Sequence, residues 1–119
     1  MREFRFLNWN VYKESKKLFS LILLIVRKLP PQHRYDIGTQ FTRASMSITL
    51  NIAEGSGKNS DKELNHFFNI ALGSTFEVLA LSDLLLENKF IDEKTYQKIL
   101  NTNEYKVHSI WHNDKIKTR

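Results

Sequence analysis

Two glycines followed by a lysine, Gly55, Gly57 and Lys58, form the first segment of this chain whose residue types suggest chemistry. A phosphate-binding loop needs another glycine five positions before its Gly-Lys pair, a serine or threonine after it, and a preceding strand. Here Ile52 stands at that glycine position, Asn59 follows the lysine, and the preceding residues have a helical pattern. The segment therefore does not indicate nucleotide hydrolysis, and it is typical of a helix end followed by a turn.

Glu104, His108 and His112 recur at every fourth position, a spacing that can present metal ligands from one helix face. No further ligand is evident on another element, and such residues on a C-terminal helix usually form a solvated face. The chain also lacks cysteine, a strand-turn-helix serine motif and paired carboxylates on facing helices. We therefore expect no metal, no cofactor and no enzymatic activity.

A row of polar residues interrupts the apolar pattern of the second predicted helix. At about 100° per residue its members fall within an arc of about 80°. The polar row consists of Gln40, Arg43, Ser47, Asn51 and Glu54. Apolar residues flank it on both sides, so we expect it to be at least partly buried, between helices or between subunits. Glu77 on the third helix is a candidate partner for Arg43, and the row is either a structural clasp or a site that contacts a ligand or RNA.

Basic residues are the candidates for binding a polyanion, since the formal net charge is +5 and both chain ends are basic. They share the side of the first helix opposite its apolar face, where Trp9 is also expected, or lie in the turn after the second helix. The candidates are Lys13, Lys16, Lys17, Arg27, Lys58 and Lys62. Repeated around an oligomer they would contact phosphates without reading bases, although an ordinary solvated face explains them too.

Four glycines and two prolines occur in clusters, and the long stretches between them predict helices. The apolar spacing places helices over about 9–29 and 36–54, a third from Ser60 and a fourth after Asp92, with no strands. Gly55 is expected to be a left-handed cap, and Ser60 with Glu63 forms a capping box. Short connections make consecutive helices antiparallel, so the fold class is an all-α, up-down-up-down four-helix bundle, with 1–119 as one domain.

The predicted helices carry more apolar surface than one bundle can cover. Leu21, Leu23 and Leu24 point away from the main apolar face of the first helix, and Met46 with Leu50 adds to the surplus. Exposed apolar strips of this kind usually indicate contact with a partner. We expect self-association, with a different protein partner as the alternative.

The expected cellular location depends on three features: apolar stretches, the N-terminal pattern and the cysteine content. The longest apolar stretch, 18–26, is far shorter than the roughly 20 residues that span a bilayer. The N-terminus does not have the pattern of a secretory signal, and the absence of cysteine fits a reducing compartment. The expectation is a cytoplasmic protein with no membrane association.

The segment QFTRASMSITLNIAEGSGKNSDKELNHFFNIALGS, from Gln40 to Ser74, resembles the signature of four-helix-bundle proteins encoded within intervening sequences of bacterial 23S rRNA genes. The matching positions are Gln40, Arg43-Ala44, Ser47-Ile48, Asn51 to Gly55, Lys58, Ser60, Lys62-Glu63, Ala71, Gly73-Ser74 and Glu77. The resemblance implies a left-handed antiparallel bundle and, from related proteins, a ring-like homopentamer. A related group that accompanies the reverse transcriptase of diversity-generating retroelements binds nucleic acid through a basic surface.

Together these features predict a non-catalytic oligomeric bundle that binds RNA or DNA, or that acts as a ribonucleoprotein accessory. The alternative is a protein-protein interaction scaffold that does not bind nucleic acid. A third hypothesis, a small-molecule site at the polar row, requires that a ligand raise the melting temperature.

Overall fold

The structure, a computed structural model, describes residues 2–102. This part of the chain has four main helices after a 3-10 helix, Arg2–Asn8, and no strand. They are α1 (Asn10–Lys28), α2 (Thr39–Ser56), α3 (Asp61–Glu87) and α4 (Glu93–Thr102). The prediction of an all-helical chain with four helices is confirmed.

The link between α1 and α2 is partly helical itself. A single turn, Pro31–His33, and a π-helical turn, Arg34–Gly38, precede α2, which therefore begins later than predicted. Arg34 folds back over the end of α1, where its Nε donates to the carbonyl of Leu29 at 3.0 Å and its Nη2 to the carbonyl of Arg27 at 3.1 Å. These bonds satisfy carbonyls that the helix end leaves without partners.

Gly55 is not the left-handed cap that the sequence predicted. α2 continues through Ser56, and the capping residue is Gly57, whose φ of −88° is not left-handed. Gly55 is buried, and a methyl group there would lie 3.0 Å from Cβ of Phe67 and 3.2 Å from Cδ1 of Leu64. Its role is to allow α2 and α3 to approach each other closely.

Side-chain caps define the starts of α3 and α4. Ser60 Oγ accepts the amide hydrogen of Glu63 at 3.2 Å, which confirms the predicted cap of α3. α3 ends at Glu87 with Asn88 as its capping residue, and Lys89 has a φ of 64° in the connection. Asp92 Oδ1 accepts the amide of Thr95 at 2.8 Å, and the hydrogen bonds from Thr95 lower the pKa of Asp92.

α2 lies between α1 and α3 and packs against both, whereas α4 packs against α1 and α3. The hydroxyl of Thr49 donates to Ser15 Oγ of α1 at 3.0 Å, and Ser74 Oγ of α3 donates to Ser47 Oγ at 2.8 Å. The buried apolar core is Val11, Leu18, Ile22, Ile25, Leu29, Phe41, Ala44, Ile48, Ile52, Leu64, Phe68, Ala71, Val78, Leu85 and Ile99. Each helix thus contributes the apolar face that its spacing predicted.

By length and composition alone, α3 is long and apolar enough to cross a membrane. Such helices also form the cores of water-soluble proteins, and the inner face of α3 is part of the core described above. The expectation of no membrane association, which rested on residues 18–26, stays a prediction.

The spacing that suggested a metal site cannot be compared with the fold, because Glu104, His108 and His112 lie outside the described residues. Within 2–102, no group of three or more potential ligand side chains is positioned to hold a metal ion.

Candidate nucleic-acid interface

The outer face of α1 brings three of the candidate lysines together. Lys13, Lys16 and Lys17 are exposed and line one shallow open groove, whose other walls are Ser20, Leu21 and Leu24. These three lysines and Arg27, which is exposed farther along the same side, are called the basic face below. The groove has no acidic residue in its lining, so its electrostatic potential is set by the lysines.

Neighbouring side chains orient two of these lysines. Lys17 Nζ lies 3.8 Å from the carboxylate of Glu14, the one acidic residue in α1. Lys16 Nζ lies 5.1 Å from the ring centroid of Tyr12, at cation–π distance. An exposed ion pair such as Lys17 with Glu14 contributes little free energy, so Lys17 can exchange this carboxylate for a phosphate at small cost.

Lys58 and Lys62 belong to a separate groove at the α2–α3 turn. Its lining also includes Ser60, His66 and Phe67, and Lys58 Nζ lies 5.0 Å from the ring centroid of Phe67. The structure therefore does not merge the six predicted basic residues into one surface. It places three in one groove, Arg27 beyond them on the same helix, and two at the turn.

Trp9 does not lie on the basic face. It has an extended backbone, with φ of −73° and ψ of 134°, because it precedes the first helical residue. Helical projection therefore misplaced its side chain, which is half-buried and contacts the ring of Phe68 edge-on at 6.0 Å. No stacking platform for bases accompanies the lysines at this position.

Two arginines that the sequence reasoning missed add positive charge near the ends of α1. Arg5 Nη2 donates to the carbonyl of Ser56 at 3.3 Å, and its guanidinium lies 5.3 Å from the ring centroid of Trp9. Arg34 bonds to the carbonyl of Arg27, as described above. The four-residue spacing of Arg5 and Trp9 could have indicated their contact from the sequence alone. The hydrogen bonds from Arg34 to the end of α1 depend on the turn at the two prolines.

The polar row divides into two parts. Ser47 and Asn51 are partly buried against α3, where Asn51 Nδ2 donates to the carbonyl of Ser47 at 2.8 Å and to its hydroxyl at 3.0 Å. Ser74 donates to the same hydroxyl from α3. This part is the clasp between helices that the sequence suggested.

The other members of the row, Gln40, Arg43 and Glu54, are exposed in the single chain, and so is Glu77. The helices of one chain therefore do not bury these four residues. Burial between subunits, the other alternative, stays a prediction. Glu77 accepts a hydrogen bond from the side-chain amide nitrogen Nε2 of Gln40, and not from Arg43. Arg43 and Glu54 have no ion-pair partner among the residues that the structure describes.

Large apolar side chains are exposed outside the core, and the predicted surplus is confirmed in part. Leu21 and Leu23 are half-buried, and Leu21 packs against the core. On α1 and α2 the exposed residues include Leu24, Met46 and Leu50, with 51%, 40% and 56% of their surface exposed. On α3 they include Phe76 and Leu84. These residues leave several outer faces of the bundle able to contact a partner.

The chain matches one protein family over residues 8–109, and that family is described as 23S rRNA-intervening sequence protein. This chain belongs to that family. The resemblance carried by residues 40–77 is therefore confirmed, and the family match extends well beyond that segment.

The fold of this chain also occurs in a solved structure of another protein. It is the 1.70 Å crystal structure of a protein with unknown function from the S23 ribosomal protein family of Bacteroides thetaiotaomicron VPI-5482. The two chains are 23% identical, with a TM-score of 0.78 over 92% of this chain and 99% of the other. No curated protein matches the chain.

Proposed function

We propose that this chain is a non-catalytic, self-associating helical bundle that binds nucleic acid, RNA in the first place, as an accessory of a ribonucleoprotein. The observation that carries the proposal is the groove on α1, where Lys13, Lys16 and Lys17 are exposed together with no acidic side chain in its lining. Phosphate groups are the ligands that such a surface favours.

The length of the basic face fits a nucleic-acid backbone. From Lys13 to Arg27 the rise along α1 is about 21 Å, which corresponds to about six base-pair steps of a duplex. Lysines on an exposed helix contact phosphates and position the protein, but they do not read base sequence. The proposed binding is therefore general for RNA or duplex DNA, with weak sequence preference.

The comparisons support RNA as the first ligand to test. The family is described by an intervening sequence of 23S rRNA, and the similar crystal structure comes from a family described as ribosomal. The cytoplasmic location proposed here agrees with this role and with the absence of cysteine.

The proposal includes a left-handed, antiparallel, up-down-up-down arrangement of the four helices. It is supported by the contacts of α2 with α3, since Gln40 bonds to Glu77 and Ser47 to Ser74, in opposite order along the two helices. Self-association is supported by the exposed apolar residues of α1, α2 and α3, and a ring of five is the stoichiometry that the resemblance implies.

A second candidate function is a protein-protein scaffold that does not bind nucleic acid. It is favoured by the exposed Phe76 and Leu84, with 53% and 54% of their surface exposed, which lie on α3 and not on the helix that carries the basic face. A scaffold would bind a polypeptide partner through this apolar surface, and its affinity for that partner would not change when the charges on α1 are reversed.

The deciding experiment reverses the three groove lysines, Lys13→Glu, Lys16→Glu and Lys17→Glu, in one chain. Binding is measured by fluorescence polarisation with a structured RNA hairpin and a DNA duplex at about 50 mM salt. We expect affinity to fall by about ten-fold or more, because three phosphate contacts become repulsive.

A matched control reverses three exposed lysines outside α1, in the connection after α3 and in α4: Lys89→Glu, Lys94→Glu and Lys98→Glu. It has the same net charge, so a smaller loss in this variant assigns binding to the basic face. Equal losses in the two variants would contradict the assignment of binding to the basic face. No binding by the unmodified chain at about 50 mM salt would contradict the proposal and favour the scaffold.

A further inference from the structure

The C-terminal half of α3 exposes apolar and acidic side chains together. Phe76 and Leu84 have 53% and 54% of their surface exposed, and Asp83 and Glu87 are exposed beside them. These four residues are called the α3 face below. Asp83 and Glu87 stand four residues apart, a spacing at which two like charges destabilise a helix. From Leu64 to its end, α3 contains no lysine or arginine that could offset them.

An open groove of about 340 Å³ lies between α1 and the start of α4 and is called the α1–α4 groove below. Its apolar lining includes Leu21, Leu24, Phe90 and Ile91. Lys28 and Lys98 are also in the lining and are exposed. The acidic residue in this lining, Asp92, already accepts the amide of Thr95 as the cap of α4. The groove therefore combines an apolar surface with positive charge.

The α3 face and the α1–α4 groove belong to different sides of the bundle. α2 and α4 each pack against both α1 and α3, so α1 and α3 are not adjacent to each other. Within residues 2–102, no ion pair joins Lys28 to Asp83 or Glu87. Two different surfaces of opposite charge on one chain are what a head-to-tail contact between copies requires.

Two hydrogen bonds define the heights of α1 and α3 along the bundle. Thr49 of α2 bonds to Ser15 of α1, and Ser47 of α2 bonds to Ser74 of α3. In the proposed arrangement α2 runs opposite to both neighbours, so Ser15 lies at the height of about position 72 of α3. The same difference in numbering, about 57, applies along both helices because they rise equally per residue.

On this scale the α3 face and the α1–α4 groove lie at the same height. Leu24 lies at the height of about position 81 of α3, within the α3 face. Lys28 lies at the height of about position 85, between Asp83 and Glu87. Copies in a closed ring are related by rotation, and rotation about an axis along the helices leaves these heights unchanged.

From the charges, the separation of the two surfaces and their equal height, we propose that the α3 face of one copy binds in the α1–α4 groove of the next copy, head to tail. Leu84 packs in the apolar groove beside Leu24. Lys28 forms ion pairs with Asp83 and Glu87, and this cation offsets the repulsion between the two carboxylates.

The contact leaves the lysines of the basic face available for nucleic acid. Lys13, Lys16 and Lys17 lie at the height of about positions 70–74 of α3, and α3 has no acidic residue there. Leu21 and Leu24 line both grooves, so the contact covers the end of the lysine groove and not the lysines themselves.

This inference rests on the proposed self-association and specifies its two surfaces. A head-to-tail contact uses a different face of each copy, and it closes into a ring when the rotation between neighbours divides a full turn. The contact is therefore compatible with the ring of five that the resemblance implies.

Blocking one surface at a time tests the contact. Leu84→Glu blocks the α3 face and Leu24→Glu blocks the groove. Each should associate about a hundred-fold more weakly than the unmodified chain, because each places a charge in an apolar contact. Sedimentation velocity between about 1 and about 100 µM measures this change.

A mixture of the two blocked variants tests the head-to-tail geometry. Leu84→Glu retains an intact groove and Leu24→Glu retains an intact α3 face, so one contact can still form between them. We expect the equimolar mixture to form a dimer with one copy of each variant and nothing larger. Native mass spectrometry with an isotope label on one variant identifies that dimer.

Charge exchange tests the ion pairs. Lys28→Glu should weaken association by about ten-fold, and so should Asp83→Lys combined with Glu87→Lys. A chain that carries all three changes again has opposite charges at every contact. It should recover the association of the unmodified chain.

The matched control is Leu50→Glu on α2, outside the contact, where 56% of the leucine surface is exposed. It should associate as the unmodified chain does. All the substituted positions are exposed, so circular dichroism melting should show intact folding for every variant.

The outcomes distinguish this contact from self-association in general. If the unmodified chain assembles and Leu84→Glu or Leu24→Glu assembles equally well, the head-to-tail contact is wrong while self-association stands. A mixture of these two variants that stays monomeric also overturns the contact. An unmodified chain that is monomeric at about 100 µM removes both the contact and the proposed self-association.

Discussion

Gly55 sets the distance between α2 and α3 because it lacks a side chain where the two helices meet. The atom that a methyl group would approach at 3.0 Å is Cβ of Phe67, which is attached directly to the backbone of α3. Such an atom cannot move aside by rotating a side chain. An added methyl group must therefore push the helices apart or strain both.

Gly55→Ala is accordingly expected to destabilise the protein by about 1 kcal/mol, since overpacking outweighs the gain in helix propensity. The matched control is Gly73→Ala in α3, where a methyl group would meet no atom within 4 Å. That change should stabilise by up to about 1 kcal/mol because alanine favours the helix. Thermal melting of the two variants should shift in opposite directions, and a more stable Gly55→Ala variant would contradict the close approach.

Arg43 shows that the pattern of residues along a helix does not determine which side chain on the neighbouring helix it pairs with. Helical spacing placed Arg43 in one row with Gln40, but Arg43 is exposed in the single chain and does not contact Glu77 through a hydrogen bond or ion pair. The choice of partner depends on how far one helix is shifted along the other, and that shift brings Gln40 to Glu77 instead. A shift of one turn, about 5.4 Å, is invisible in either helix alone.

At the scale of elements, the starts of α3 and α4 were predicted well, whereas the start and the end of α2 were predicted less well. The starts of α3 and α4 depend on Ser60 and Asp92, whose side chains bond to amides three residues ahead. Such local bonds can be recognised from a few consecutive residues. The end of α2 was missed because Gly55 lies in the α2–α3 contact, which involves residues far along the chain.

The cap at Asp92 predicts how stability depends on pH. Hydrogen bonds from Thr95 hold the pKa of Asp92 below its ordinary value of 3.8 in the folded protein, so the folded state binds fewer protons than the unfolded state there. The contribution of Asp92 to stability is present above about pH 3.9 and is lost as the pH falls through the lower folded value. Asp92→Asn keeps a capping residue but removes this titration.

We therefore expect the melting temperature of the unmodified chain to exceed that of Asp92→Asn at pH 6, with the difference shrinking toward about pH 2. The comparison cancels the contributions of the other carboxyls, including Asp36, whose pKa the amide of Ile37 lowers. A difference that stays constant with pH would show that Asp92 does not cap α4 as a carboxylate.

At the scale of the whole molecule, proposed nucleic-acid binding has a salt dependence set by the basic face. Each neutralised phosphate contributes a slope of about −0.9 in log affinity against log salt concentration on duplex DNA. Three lysines per chain therefore predict a slope of about −2 to −3 for each engaged copy, which self-association multiplies. A titration between about 50 and about 200 mM salt measures it, and a slope near zero would exclude phosphate binding.

The sequence by itself determined the helical class, the number of helices, the faces that form the core and the caps of α3 and α4. Each of these follows from residues within a few turns of one another, where spacing and hydrogen bonding act locally. The helical pattern also indicated which residues are basic and which apolar residues exceed the needs of the core.

Tertiary structure alone decided which of these residues meet. It separated Lys58 and Lys62 from the lysines of α1, moved Trp9 off the basic face, paired Gln40 with Glu77 and left Arg43 and Glu54 exposed. The physical reason is that contacts between helices depend on their relative shift and rotation. Those quantities are set by packing of the whole core, including the close approach at Gly55, and not by the periodicity of any one helix.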